Sequence, residues 1–342
     1  MKRGIEMMEC ERKLATIRRI DAIGPIDGAD AIEVATVGGW KVVVKRGEFT
    51  AGDLALYIEI DAWCPTGVAP FLSKCKEPRE YSGVKGERLR TIRLRGQISQ
   101  GLILHYVGDG REGDDLTEAL GIQKWELPVS AQLQGMARGN FPHFLRKTDQ
   151  ERIQNIPEVF DSQNLEAEYE ATIKLDGSSM TYWVKEGEWG VCSRNLDLKL
   201  DQVGNTFVDT AARIFSHQRF DKLRETGNIA IHGELMGQGV QGNREGLSRH
   251  EFFVFDIWDI ETQSYWTPKA VREWCALYNV PHVPLICIMP LQCFGGSIDD
   301  LLVMAGNAMS LNNPVAEGLV FKRVDGKFSF KVISNKFLLA ER

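Results

Sequence analysis

The stretch "ATIKLDGSSMTYW", Ala171–Trp183, puts a lysine and an aspartate two residues apart at the end of a strand-like run, followed by a glycine and two serines. Residues two apart on a strand share a face, so Lys174 and Asp176 are expected side by side. A solvated ion pair running into a turn explains the placement. A lysine that acts as a reagent with an acidic helper explains it equally well. Lys-x-Asp-Gly does not decide between them; the residues that follow it in chain order do.

Around this stretch the chain reads as strands. "EATIKLDGSSMTYWVKEG", "EWGVCSRN", "NIAIHGELMGQG", "EFFVFDIWD" and "EGLVFKRVDGKFSFKVI" are rich in Val, Ile and aromatics and broken by turn residues. Between them, "NTFVDTAARIFSHQRFDKLRET" has helical periodicity, and "TPKAVREWCALYN" opens with a Thr N-cap and Pro in the first turn. The class is α+β. The first 120 residues differ: five short strand-like runs, "KLATIRRIDAI" to "GLILHYV", are divided by turns such as "GPIDGAD" and "YSGVKG". That pattern fits a small β-barrel, with an oligonucleotide-binding (OB) barrel the first choice and an SH3-like barrel the second. Residues 121–165 read as a connector, which gives 1–120, 121–165 and 166–342 as the divisions.

Composition narrows the function. In 342 residues no apolar run reaches a membrane span, and the opening "MKRGIEMMEC" lacks the apolar core of a signal peptide. Seven scattered cysteines without a CxxC pair speak against a zinc ribbon and for a reducing, cytoplasmic setting. The net charge of -6 excludes a generally basic nucleic-acid binder, so contact with a polyanion must come from local stripes. One such stripe is "KGERLRTIRLRG". There Arg88 and Arg90 share a parity, as do Arg93 and Arg95, and on strands each pair would follow a phosphate backbone. A charged barrel edge that discourages aggregation explains the stripe as well.

Beyond Lys174 the order is "CSRN" with Arg194, "IHGELMG" with Glu234, "EFFVFDIWD", "AEGLVFK" with Glu317 and Lys322, and "FSFKVISNKF" with Lys331. Taken singly, each has an ordinary explanation: a surface arginine, a buried carboxylate in need of a partner, core aromatics, strand-end lysines. Taken in order, they resemble the motifs of the covalent nucleotidyltransferases. The chain looks most like ATP-dependent RNA ligases of the Deinococcus-type branch, in which an OB module precedes the transferase. The resemblance is most specific from Lys147 to Phe337 and includes "KTDQERIQN" at Lys147–Asn155.

The resemblance implies an N-terminal OB-like barrel and a C-terminal adenylyltransferase (ATP-grasp-like ligase) domain of antiparallel sheets and helices. It implies that Lys174 attacks the α-phosphorus of ATP and forms lysyl-AMP, with Mg²⁺ or Mn²⁺ held by Asp176, Glu317 and Glu234. Glu234 would alternatively bind the ribose. Arg194 would meet the ribose or substrate phosphates, and Arg152 the triphosphate or a nucleic-acid phosphate. Phe252 would stack on adenine, with Phe253 or Phe255 in that role if the register differs by one. Lys322 and Lys331 would stabilise charge on the α-phosphate. AMP would then pass to an RNA 5′-phosphate, and a 3′-hydroxyl would displace it. The partners are RNA and ATP, with no membrane and a monomeric chain. In the last motif, Ile333 stands where nick-sealing RNA ligases carry a second lysine. Either Lys322 and Lys331 suffice, or Lys336 or another cation covers the gap. Eleven residues follow Lys331, too few for the C-terminal OB domain of DNA ligases and capping enzymes, which counts against those alternatives. A non-catalytic nucleic-acid-binding protein is the remaining rival.

Overall fold

The computed structural model describes residues 12–341 apart from 75, 128–130 and 203. The chain forms two compact units. Among the described residues, one contains 131–152 and Val159–Phe337; the other contains 12–127, Ile153–Glu158 and 338–341. The expected connector is therefore shared out. Its middle belongs to the larger unit, and Ile153–Glu158 returns to the smaller one, where Trp40 Nε1 donates to Asn155 Oδ1 at 2.7 Å and Asn155 Nδ2 donates to Glu59 Oε1 at 2.7 Å.

The strands of the smaller unit are short and pair antiparallel. Ala15–Arg19, Leu54–Ile58 and Leu102–His105 form one sheet, and Ala22–Ile26, Ala29–Val37 and Trp40–Lys45 form a meander. Its core includes Ala15, Leu56 and Ile58 of those strands, with Leu14, Ala62 and Leu89 from outside them. The arginine stripe does not form a continuous strand face. Arg88 ends the strand Val84–Arg88, Arg90 lies beyond it, Arg93 is in the strand Thr91–Leu94, and Arg95 occupies the hairpin turn at φ 48°.

The larger unit carries two sheets. In the seven-stranded sheet the order is Ala137–Asn140, Leu196–Leu198, Glu188–Cys192, Ser178–Lys185, Ile229–Met236, Glu251–Asp259 and Ser264–Tyr265, all antiparallel. One face is covered by helices Thr206–Phe215, Asp221–Thr226 and Pro268–Tyr278, with Phe215, Phe220, Phe252 and Trp274 in the shared core. The helical run expected over 205–226 is broken at 216–220; its start is capped as Ser/Thr/Asp/Asn caps work, Asn205 accepting from the N–H groups of Phe207 and Val208. Pro268–Tyr278 follows the expected Thr267 cap and ends on Asn279 in the left-handed region at φ 49°. The five-stranded sheet runs Glu151–Arg152, Ser329–Ile333, Gly318–Arg323, Glu168–Lys174, Leu285–Pro290, and only its first pairing is parallel. Among the described residues no helix is long and apolar enough to cross a membrane.

The opening stretch sits where the two sheets meet. The strand Glu168–Lys174 belongs to the five-stranded sheet and Ser178–Lys185 to the seven-stranded one. Leu175, Asp176 and Gly177 make the crossing. The single strand expected through "IKLDG" ends at Lys174, so Asp176 reaches its neighbour from a loop and not by strand parity. Gly177 is required at the crossing: a Cβ there would lie 2.9 Å from Glu234 Cγ and closer still to the Leu235 carbonyl.

Candidate active site

Strand register gathers the acidic residues around one amine. Lys174 lies opposite Gly318, the residue after Glu317, and Glu234 lies opposite Ser179 on one side and Phe253 on the other. Lys174 Nζ donates to Glu317 Oε2 at 2.7 Å, and its side chain is a quarter exposed. The Gly177 N–H donates to Glu234 Oε1 at 3.0 Å. Burial alone pulls the Lys174 pKa down, but Glu317, Glu234 and Asp176 together hold it above the ordinary lysine value. The same crowding acts on the acids. Burial, and then Glu317, lifts Asp176 to about 6, and burial lifts Glu234 to about 7. The site therefore holds one cation among carboxyls, two of which are uncomfortable as anions.

Among the described residues no three His, Cys, Asp or Glu side chains converge closely enough to ligate one ion directly. The raised Asp176 and Glu234 are nevertheless what a nearby hard cation would relieve, and a cation that keeps its waters needs no direct three-residue cage.

The cations divide into two sets. Lys331 Nζ donates to Asp149 Oδ1 at 2.7 Å, and Arg194 Nη2 donates to Asp149 Oδ2 at 3.1 Å. Arg152 is brought beside Lys331 by the parallel pairing of the two strands and is buried, 6 % exposed. Burial pulls Lys331 down to about 8, with Asp149 opposing and Arg152 and Lys174 assisting. Within residues 147–155, also open to reading as a solvated helix start, Glu151–Arg152 is a short strand paired with the last motif, and Ile153–Asn155 is a 3₁₀ turn.

Lys322 departs from expectation. Its ammonium is buried and donates to Asp256 Oδ1 at 2.6 Å and to the Phe255 carbonyl. It stands opposite Glu170 while Lys174 stands opposite Gly318, four residues along the same strand, so it ties the two sheets together away from the acidic cluster. Phe252 departs too. It is fully buried against Phe215 on the helix-covered face. The half-buried Phe253 and Phe255 are the ones turned from that core, and the Lys322 ammonium lies 5.8 Å from the Phe255 ring centroid, across the space between the sheets. A bulge between His232 and Gly233 shifts the pairing here, which the alternation of the sequence does not reveal.

Lys336 is exposed and donates to Asn307 Oδ1, so it does not join Lys331; Ile333 is buried opposite Gly318. The neighbouring cation is Arg152. In the smaller unit, Arg88 is taken up by its own module. It bonds Asp61 Oδ1 at 2.6 Å and lies 3.8 Å over the Trp125 ring, with Glu341 also in reach at 3.3 Å. Its place on a free phosphate-tracking face is withdrawn, while Arg93 and Arg95 are exposed.

Two residues escaped the sequence reading. Asp149 is one; Arg244 is the other. The glycine-rich "GQGVQGNREG" reads as a flexible loop, yet Asn312 N–H donates to Glu245 at 2.6 Å and Asn313 Nδ2 to the Arg244 carbonyl at 3.3 Å. These ties hold Arg244 Nη1 3.4 Å from Asp176 Oδ2 and its guanidinium 4.5 Å over the Phe337 ring. Nothing in a lone arginine among glycines signals this. His232 is a core residue, as its neighbours suggest: Nδ1 meets Thr181 Oγ1 at 2.9 Å, and burial keeps it neutral with a pKa near 3.

Comparison with known proteins gives consistent matches. A family model described as an OB-fold domain matches residues 14–106, and one described as RNA ligase matches residues 167–333. Solved structures of Naegleria gruberi RNA ligase are similar along almost the whole chain. An apo aspartate-to-alanine mutant is 43% identical, with TM-score 0.87 and coverage of 96% of this chain and 97% of that one. A lysine-to-alanine mutant with ATP and Mn is 42% identical, with TM-score 0.87 and coverage of 96% and 99%. A structure with PPi is 44% identical, with TM-score 0.86 and coverage of 96% and 98%. No curated protein matches.

Proposed function

This chain belongs to the RNA ligase family, and on that premise we propose that it seals 3′-hydroxyl and 5′-phosphate RNA ends with ATP, through AMP carried on Lys174. The observation that carries the reading is the Lys174 amine, partly exposed and 2.7 Å from Glu317, with Asp176 and Glu234 close enough to raise its pKa. An amine must be neutral to attack, and this one is held as a cation by carboxylates. Asp176, Glu234 and Glu317 are the residues that would hold a hydrated Mg²⁺ or Mn²⁺, which when bound supplies positive charge to the phosphates and cancels the carboxylates' hold on the amine. With that hold cancelled, the remaining influence on Lys174 is burial, which favours the neutral form.

Three in-line phosphoryl transfers follow. The Lys174 nitrogen bonds to the α-phosphorus of ATP while the bond to pyrophosphate breaks, and the amine gives up its proton. An oxygen of the RNA 5′-phosphate then takes the phosphorus and the P–N bond breaks. Last, the 3′-hydroxyl attacks the 5′-phosphorus and expels AMP. Phe255, facing the space between the sheets, is the adenine platform. Lys331 and Arg152 together supply the charge that two lysines supply elsewhere, with Arg194 beside them. Lys322 and Asp256 act structurally, as a buried pair beneath the nucleotide. Arg93 and Arg95 remain the candidates for RNA contact in the smaller unit.

The test is a duplex with one nicked strand, offered with ATP and Mg²⁺ or Mn²⁺. The reading expects an RNA nick to be joined with release of AMP. A chain that joins DNA nicks and leaves RNA nicks open would refute it.

A further inference from the structure

We propose that Asp149 is a positioning residue for the phosphoryl-transfer steps: its one carboxylate fixes Lys331 and Arg194 as a pair aimed at the same phosphate. The inference rests on the ligase reading above, and no motif residue implies it. The carboxylate is shared, Oδ1 taking the Lys331 ammonium at 2.7 Å and Oδ2 the Arg194 guanidinium at 3.1 Å. Long cationic side chains are costly to hold in one rotamer, and a bidentate acid between them lowers that cost for both.

The alternative is that Asp149 occupies a phosphate position and is pushed out by the nucleotide. The segment that carries it argues against this, because it is pinned on both sides of Asp149. Before it, Lys147 Nζ donates to Asn195 Oδ1 at 2.9 Å and the Tyr265 hydroxyl donates to the Lys147 carbonyl at 3.0 Å. After it, Glu151–Arg152 is hydrogen-bonded as a parallel strand to Phe330–Lys331. The first anchor is Arg194's own neighbour and the second is Lys331's own strand. Asp149 is thus built into both elements whose cations it joins. Exposure agrees: the Lys331 side chain is 15% exposed and that of Asp149 49%, so the acid lies on the solvent side of the lysine.

The charged groups facing the Lys331 ammonium are Asp149, Arg152 and Lys174, with Arg194 behind Asp149. Asp149 is the one that favours the protonated form, so its loss lowers a pKa already near 8. A protonated Lys331 is the form that neutralises phosphate charge, and its loss as pH rises sets an alkaline limb.

The test is single-turnover formation of lysyl-AMP by the full chain with ATP and Mn²⁺, across pH, for wild type, Asp149→Asn and Asp149→Glu. The expected result for Asp149→Asn is a fall of about tenfold or more in the rate at saturating ATP. The ATP concentration for half-maximal rate should move less than that, and the alkaline limb should move to lower pH. Asp149→Glu should recover part of the rate and restore the limb. An unchanged rate with tighter ATP use would mean a displaced stand-in and overturn the proposal. A slower rate with an unmoved limb would mean general damage and overturn it as well. Wild type failing to form lysyl-AMP would refute the ligase reading itself, which keeps the two failures apart.

Discussion

Three residues separate the two roles that the aromatic strand plays. Phe252 is fully buried in the helix-covered core, while Phe255 faces Lys322 across the space between the sheets. Truncating each gives opposite signatures. Phe252→Ala should destabilise the fold by ~3–5 kcal/mol, the usual cost of emptying an aromatic core site, read by thermal or urea unfolding. Phe255→Ala should leave unfolding nearly unchanged and weaken ATP use by the ~1–3 kcal/mol that a base–aromatic stack contributes, read as a higher ATP concentration for half-maximal adenylylation. If Phe255→Ala unfolds the chain and Phe252→Ala spares it, the assignment is reversed. The sequence singles out this strand but not the residue, because alternation is a parity argument and nothing in the strand itself says which parity faces the helices. The pairing of Lys322 is hidden in the sequence because its partner is distant: a lysine at a strand end looks free until the facing strand supplies Asp256.

At the scale of elements, the short crossing from Lys174 to Ser178 does most of the positioning. It carries Asp176 in the loop, presents Lys174 at a strand end and donates the Gly177 N–H to Glu234. Gly177→Ala should therefore slow lysyl-AMP formation although residue 177 touches no substrate, since the added methyl meets Glu234 and the Leu235 carbonyl. A variant with wild-type adenylylation would show that the crossing tolerates movement there. Lys174, Asp176, Glu234 and Glu317 are legible in the sequence because chemistry fixes their types and strands fix their order. Asp149 and Arg244 are not, because their partners lie 182 residues away at Lys331 and 68 residues away at Asp176. Nothing local marks either one as belonging to a site.

For the whole molecule, two classes of element are visible from the outset: a run of short strands, then strands mixed with amphipathic helices. The boundary between them is not. Ile153–Glu158 follows residues of the larger unit in the sequence yet packs with the smaller one, and it does so through Gln154 and Asn155, polar residues that carry no hydrophobic pattern. The place of Arg88 in the stripe Arg88–Arg95 is also visible only at this scale. Basic residues at regular spacing look like a polyanion track, but Asp61 and Trp125 take up Arg88 within its own barrel. What survives every scale is the amine among carboxyls at the junction of the two sheets.

The most direct test of that centre is intact-mass and peptide mass spectrometry of the purified chain after incubation with ATP and Mg²⁺ or Mn²⁺, alongside Lys174→Ala. The account predicts an added AMP on the peptide containing Lys174, lost when RNA with a 5′-phosphate is supplied and absent from the variant. An unmodified chain, or an adduct that persists in Lys174→Ala, would contradict it.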